Sequence, residues 1–439
     1  MKKLDLLLQK LSKKVDAFEI LKKDILRLSV TVEKGNMENF KESEETLYSL
    51  RIIKNKRMGF TYFTSVYNVD DILDNVIPLG EIADFDENNG FYNNEYEEND
   101  FNLFNLNIDE ITINQMKDFS LRLEELSYQK DKRIINVKDS GFFRGKATVE
   151  YINSNFVFKK YTTNYCGASV TVVSKDGSSS MVGYEYNVSK KFDFSPESIA
   201  HSAVNKAVRM LNAKKGGQFG KIPVIIENEL VSDILSIIAP SFFIENIIKN
   251  KSMFTDLQDK NIGFEGINLL DDGTNPDCIG SALFDDEGTP TCRKYLIKKG
   301  MLNEFLYNYY YARKENKNFA GNGFADSFKT VPTIDFTNLI LEPSETDLSL
   351  FINSLNNGLL ITNLMGLHMA DPISGDFSLG AEGILIEKGE FANPVKEFVI
   401  SGNILEILRN CKTVFNDVKR NGRIIAPSIL VEGLNIVGN

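Results

Sequence analysis

The sequence has no tryptophan, only two histidines and only four cysteines in 439 residues. Each shortage removes a class of chemistry. Cys166, Cys278, Cys292 and Cys411 stand far apart and make no CxxC pair, which argues against a disulfide framework and against a zinc ribbon. They are expected to be reduced, buried thiols. With His201 and His368 as the whole histidine complement, a helical HExxH or HExxxH zinc motif cannot be written, because its two histidines must lie within about a turn of each other. No apolar run reaches the roughly 18 residues of a membrane-spanning helix. The opening MKKLDLLLQKLSKKVDAFEI breaks its apolar positions with charge every few residues, unlike a signal peptide. A cytoplasmic protein without a membrane partner is expected. Positive charge is short as well. The 50 Lys and Arg against 61 Asp and Glu leave a net charge of −11, the wrong sign for holding nucleic acid through its phosphates.

What is present describes an ordinary globular chain, with 42% hydrophobic and 25% charged residues and a length that suggests two or three folded units. Leu4, Leu7, Leu8, Leu11, Val15 and Phe18 recur at helical spacing. From Ile25 to Ser65 the pattern turns to short alternating runs, with a hairpin turn at Asn55 to Met58, so an antiparallel meander is predicted. Residues 84–110 mix carboxylates, asparagines and aromatics without a period and read as a solvated loop; the D-x-D-x-D-G order of a calcium loop is missing. Ile113, Met116, Phe119, Leu123 and Leu126 predict a helix, and Ile134 to Lys191 a second sheet. Ser195-Pro196-Glu197 supplies an N-cap hydroxyl, a first-turn proline and an acid for a helix running to about Leu211. On it His201, beside Ile199, Ala203 and Ala207, reads as a boundary or core histidine. A boundary is placed near 215–221, a helical stretch from Val231 to about Lys251, and beyond it two similar hairpins, TCRKYLIKKGMLNEFLYN and AEGILIEKGEFANPVKEFVI. The fold class is α+β: an N-terminal antiparallel sheet with flanking helices, and a larger, mainly antiparallel C-terminal sheet and hairpin domain with helices. Domains are expected at 1–110, 111–218 and 219–439.

Few chemical motifs survive inspection. AKKGGQFGK fails as a phosphate loop because Lys215 stands where its first glycine belongs and Ile222 where a hydroxyl is needed. SGDFSLG misses G-x-S-x-G by one position around Ser378. DDEGTP and LLDDGTNPD read as turn chemistry, with a metal role for Asp285, Asp286 and Glu287 disfavoured. His368, Asp371 and Asp376 form no metal site by spacing. No catalytic residue and no metal ligand is assigned. Residues 358–395 are dense in glycine, including Gly366, Gly375, Gly380 and Gly383. Such glycines let a backbone approach closely, as for an extended peptide on a sheet edge, or mark bulges and turns of a twisted sheet; composition leaves both open.

DDEGTPTCRKYLIKKGMLNEFLYN, NFAGNGFADS and SGDFSLGAEGILIEKGEFANPVKEFVISGNILEIL together resemble blocks of the TldD/PmbA family, historically described as modulators of DNA gyrase. The resemblance extends over nearly the whole chain. It implies a metallopeptidase relationship and two kinds of subunit. TldD-type members carry an HExxxH helix after the strand matched by PVIIENEL and a C-terminal cysteine that completes a zinc site. This chain reads SDILSIIAPSFFIENIIKN there, and NDVKRNGRIIAPSILVEGLNIVG near the end holds no cysteine. By resemblance it is a PmbA/TldE-type subunit, itself without cofactor or catalytic residues. It would pair with a zinc-bearing TldD-type partner, or with itself, and handle unfolded peptides. The alternative is a stand-alone homodimer that binds peptide without cleaving it. The peptide-facing candidates are Gly366, His368, Gly375, Asp376, Ser378, Gly380 and Gly383.

Overall fold

The computed structural model describes residues 2–217, 219–220 and 222–438. Six long strands build the N-terminal sheet: β1 (Ala17–Glu33), β2 (Asn36–Lys54), β3 (Arg57–Phe63), β4 (Ile134–Asn153), β5 (Phe158–Asp176) and β6 (Ser179–Ser189). Their order is β3-β2-β1-β4-β5-β6, with every neighbour antiparallel. The expected turn at 55–58 is present, with Asn55 and Lys56 both at positive φ (50° and 61°), the backbone that matches strand twist in a two-residue hairpin. The expected second sheet is corrected. β4 pairs along β1 from Glu19↔Asn153 to Val32↔Ser140, so the strands after the Ile113–Lys130 helix continue the first sheet. The physical reason is the edge: two separate three-stranded sheets would leave β1 and β4 with unpaired backbone, and joining them satisfies both.

Helices Lys2–Lys14 and Val69–Ile82 close one end of this sheet over Leu7, Leu11, Ile20, Leu50, Ile52, Leu73 and Val76. Val15 and Phe18 fall beyond the first helix, and Phe18 belongs to β1. Helices Ile113–Lys130 and Pro196–Arg209 cover Phe142, Cys166, Ala168, Val170 and Val172. The Pro196 helix starts as expected, with Ser195 Oγ accepting from the Ser198 N–H at 3.2 Å. Ser195→Ala is therefore expected to cost about 1 kcal/mol of unfolding free energy, read by chemical denaturation; no change would remove the cap from the account. His201 is exposed rather than at the core, because Ile199, Ala200, Ala203, Val204 and Ala207 fill the buried stripe and position 201 falls on the opposite side.

Among the described residues the C-terminal half holds two large sheets and a two-stranded one, Gly323–Phe324 with Thr333–Ile334. A six-stranded sheet runs through Met301–Leu302, Arg293–Lys298, Leu269–Asp272, Leu339–Leu341, Ile424–Ala426 and Lys419–Asn421. The larger sheet runs through Cys411–Val414, Ile429–Val431, Val224–Ile226, Asn357–Met365, Asp376–Glu387, Glu390–Asn403 and Asn435–Gly438, with Lys214–Lys215 beside the Glu390–Asn403 strand. Both predicted hairpins are present and turn through Lys299-Gly300 and Lys388-Gly389, all four residues at positive φ. The predicted helix from Val231 is shorter: Asn228–Ile238 is followed by a 3₁₀ turn, Ala239–Phe242, and a short helix, Ile244–Ile248. Pro240, which cannot donate in a helix interior, marks the break. Of AKKGGQFGK, Gln218 and Lys221 lie outside the described residues. Cys166, Cys278 and Cys411 are buried, Cys292 half-buried, and all four are free thiols. Among the described residues no helix is long and apolar enough to cross a membrane.

Candidate functional site

The central helix of the C-terminal half begins where a fully buried strand ends. Val224–Ile226 lies between Asn357–Met365, which it pairs in parallel, and Ile429–Val431. The following Asn228–Ile238 helix is fixed at its first residues. Glu227 accepts both arms of the Arg209 guanidinium at 2.6 and 2.7 Å. The Asn228 N–H donates to Ser428 Oγ at 3.0 Å, whose own hydroxyl donates to Asp417 at 2.6 Å. Glu229 accepts from Lys206 at 2.5 Å and from Lys419, and both lysines also reach the buried Glu185. Burial alone would raise the Glu229 carboxyl, but the two ammonium groups outweigh it and hold it below the ordinary range.

Farther along, the helix and its 3₁₀ turn send Ile234, Leu235, Ile238 and Phe242 into the core and leave Ser236 exposed and Ile237 half-buried. This is the stretch that the family resemblance sets in place of a zinc motif. The stretch holds no histidine or cysteine, and its two carboxylates stand apart at Asp233 and Glu245, the latter paired with Lys249, whereas zinc takes several converging thiolate, imidazole and carboxylate groups. Among the described residues no group of three or more His, Cys, Asp or Glu side chains is arranged to hold a metal ion.

The glycine-rich loop closes against this turn. Ser241 Oγ donates to the Pro372 carbonyl at 3.1 Å, and Ser252 Oγ donates to the Ser241 carbonyl at 2.7 Å. Gly366 and Gly375 bracket the loop at φ +82° and +81°, a backbone region that disfavours side chains. The exposed His368 sits in the short 3₁₀ turn Leu367–Met369. Asp371 does not meet it: its carboxylate accepts from the Ile373 N–H at 2.8 Å, and that bond holds the carboxyl below its usual value. Asp376 accepts from Asn403 Nδ2 at 2.8 Å.

Of the expected peptide-facing residues, Gly366, His368, Gly375 and Asp376 therefore share one loop, and Ser378 and Gly380 follow on the solvent face of the Asp376–Glu387 strand. Gly383 is buried at a bulge, where an added Cβ would lie 2.4 Å from the Leu360 carbonyl oxygen. That strand is interior: it pairs with Asn357–Met365 on one side and Glu390–Asn403 on the other, so the sheet edge expected there is absent. What the solvent face offers instead is a row across four strands, Met365, Gly380, Val399 and Val437, whose three side chains are 44%, 39% and 52% exposed.

A second constellation, outside the expected candidates, links the two halves. The DDEGTP turn has its expected backbone, with the Gly288 N–H donating to the Asp285 carbonyl at 3.0 Å, but its acids point inward. Glu287 accepts from Arg51 at 3.0 Å and from the Tyr309 N–H at 2.8 Å. Arg51 also pairs with Glu19, to which the Tyr151 hydroxyl donates at 2.7 Å. Asp286 pairs with Lys23 at 2.7 Å. Asp285 accepts from three backbone N–H groups, of Glu287, Thr289 and Gly323, while burial and Glu287 push its carboxyl well up. Gly288, at φ +75°, lies under Tyr151, whose ring would be 2.4 Å from a Cβ there. Residues 84–105 are not simply solvated: Tyr92 is fully buried with Tyr151, Phe284 and Tyr309. Arg51 and Glu19 carry no local motif; only their position on facing strands, Glu19↔Arg51, reveals the pair.

Comparison with known proteins gives a consistent result. The family model described as PmbA/TldA metallopeptidase C-terminal domain matches residues 219–438, the central-domain model 106–211 and the domain 1 model 19–77. The Metalloprotease PmbA homolog of Buchnera aphidicola (Acyrthosiphon pisum) is 28% identical over 98% of this chain and 95% of its own. The crystal structure of a proposed modulator of a DNA gyrase from Thermotoga maritima superposes with a TM-score of 0.90 at 25% identity, over 99% of each chain. TldE from Thermococcus kodakarensis shares the fold at TM-score 0.92 and 22% identity, over 99% of this chain and 100% of that one.

Proposed function

Since this chain belongs to the PmbA/TldA metallopeptidase family, we propose that it is the PmbA/TldE-type subunit of a cytoplasmic two-chain metallopeptidase acting on unfolded peptides. In this reading the chain holds an extended peptide and walls part of the chamber, while a TldD-type partner supplies zinc and the hydrolytic step. The observation that carries it is the Asn228–Ile238 helix with its 3₁₀ turn, which the resemblance sets in place of the zinc helix and which carries carboxylates at Glu229 and Asp233 but no histidine or cysteine. The loop 366–375, tied to that turn through Ser241, supports a peptide path across Gly366, His368, Asp376, Ser378 and Gly380, with the buried Gly375 shaping the loop. The exposed row of Met365, Val399 and Val437 supports a covered face in an assembly.

The test is metal content and casein-fragment hydrolysis of the pure chain, alone and mixed with a TldD-type partner. The expected result is no bound zinc and no turnover alone, with turnover in the mixture. Stoichiometric zinc with activity in the chain alone would overturn the reading, and peptide binding that never leads to turnover in the mixture would favour a stand-alone homodimer. Gly380→Val probes the path. A Cβ at Gly380 meets only the Met365 side chain, Cε at 3.2 Å and Cβ at 3.5 Å, so folding is expected to persist while turnover falls about tenfold. Full turnover by an intact assembly would remove Gly380 from the path.

A further inference from the structure

Lys190 is 5% exposed, yet among the described residues no carboxylate lies within ion-pair distance of it. Its ammonium donates to Thr163 Oγ1 at 2.8 Å and to the Ser281 carbonyl at 3.3 Å. Those neutral acceptors engage two of its three hydrogens and leave the charge without a counterion. A buried cation in that state is costly unless something compensates it.

Lys190 also lines a cleft of about 620 Å³, formed by Asn102 to Leu106, Lys190, Lys191, Pro276 and Asp277. The cleft is built rather than incidental. Asn164 clamps the backbone of Asn105 from both sides, through Oδ1 at 2.8 Å and Nδ2 at 2.7 Å, and Asn105 Nδ2 donates to the Lys190 carbonyl at 3.1 Å. Lys191 is already matched by Asp277 at 2.5 Å, which leaves Lys190 as the uncompensated charge. The other walls include Phe104, Pro276 and Leu106, the last 59% exposed.

We propose that this cleft binds a carboxylate carried on an apolar group, namely the free C-terminal carboxylate of a peptide whose last residue is apolar, with Lys190 facing the carboxylate and Phe104, Leu106 and Pro276 the side chain. The choice of a peptide as bearer rests on the peptide-handling function proposed above; the carboxylate site does not. Burial lowers the Lys190 ammonium to about 8, although the neighbouring Cys278 thiol, itself pushed up to about 11 by burial, acts the other way, so the site carries its charge at neutral pH and loses it in mildly alkaline solution.

The experiment is calorimetric binding to the full chain alone, without partner or metal, of Ala-Ala-Ala-Leu as free acid and as amide, and of hexanoate. At pH 7 the acid is expected to bind about tenfold more tightly than the amide, with the preference fading above pH 8. Lys190→Met is expected to abolish it. Leu106→Glu, at an exposed position that folding tolerates, is expected to weaken the acid while Lys190 stays in place. Equal binding of acid and amide by the unaltered chain, or a preference that survives Lys190→Met, overturns the site. Hexanoate binding as tightly as the peptide acid overturns the peptide assignment. None of these outcomes depends on turnover in the two-chain mixture, so failure here and failure of the proposed function are distinguishable.

Discussion

Arg51→Met is expected to remove about 3 to 5 kcal/mol of unfolding free energy, the cost of leaving buried charge without its partner. Arg51, Glu19 and Glu287 are 7%, 4% and 4% exposed, and the guanidinium is the cation that both carboxylates share. Methionine restores the volume and the apolar stem but none of the donors, so two acids would remain buried against each other. Glu19 and Arg51 belong to the N-terminal sheet and Glu287 to the C-terminal half, so the loss is also expected to uncouple the halves: chemical denaturation should change from one transition to two. Arg51→Lys keeps the charge without the planar fork that serves two acids at once, and an intermediate loss is expected. A loss below about 1 kcal/mol for Arg51→Met would mean that water already reaches the cluster and screens it.

That cluster also marks where sequence reading stops. The hairpins at Asn55-Lys56, Lys299-Gly300 and Lys388-Gly389 were legible because a turn is a local event, decided by a few adjacent residues with the right backbone freedom. The Ser195 cap and the Ile113–Lys130 helix were legible for the same reason, through an N-cap and a 3.6-residue period. Strand pairing is not local. Nothing in the alternation of β4 says that it joins β1 across more than a hundred residues, so one sheet reads as two. In DDEGTP the turn chemistry was legible and the destination of its acids was not, since a carboxylate in a turn and a carboxylate bridging two halves have the same spelling. The glycine-rich block shows both sides of this. Gly366 and Gly375 take the positive φ that the composition suggests, whereas Gly383 serves a bulge and the strand around it is interior. His201 is misjudged by proximity: its neighbours in sequence are apolar, but its angular position on the helix faces solvent.

Wild-type stability relative to Glu19→Gln is expected to fall by about 2 to 3 kcal/mol between pH 5 and pH 8. Burial raises the Glu19 carboxyl to about 7 from an ordinary 4.5; Glu287 pushes the same way, and Arg51 and the Tyr151 hydroxyl oppose. The folded chain therefore keeps this proton over a range in which the unfolded chain has released it. Stabilisation from Glu19 is fully present below its unfolded value, and it is lost as pH rises through the folded one. Glutamine imitates the protonated acid and does not titrate, so subtracting the two denaturation curves isolates this group from the chain's other carboxylates. A difference that stays flat from pH 5 to pH 8 would show that Arg51 keeps Glu19 ionised throughout. The two predictions then constrain each other. Removing Arg51 takes away the charge that most opposes protonation of Glu19, so in Arg51→Met the titration window moves upward. The loss caused by Arg51→Met must accordingly be larger at pH 8, where Glu19 would have to ionise unaided, than at pH 5, where it is already neutral. Equal losses at the two pH values would leave Glu287 as the acid that depends on Arg51, and the link between the halves would rest on the Arg51–Glu287 pair alone.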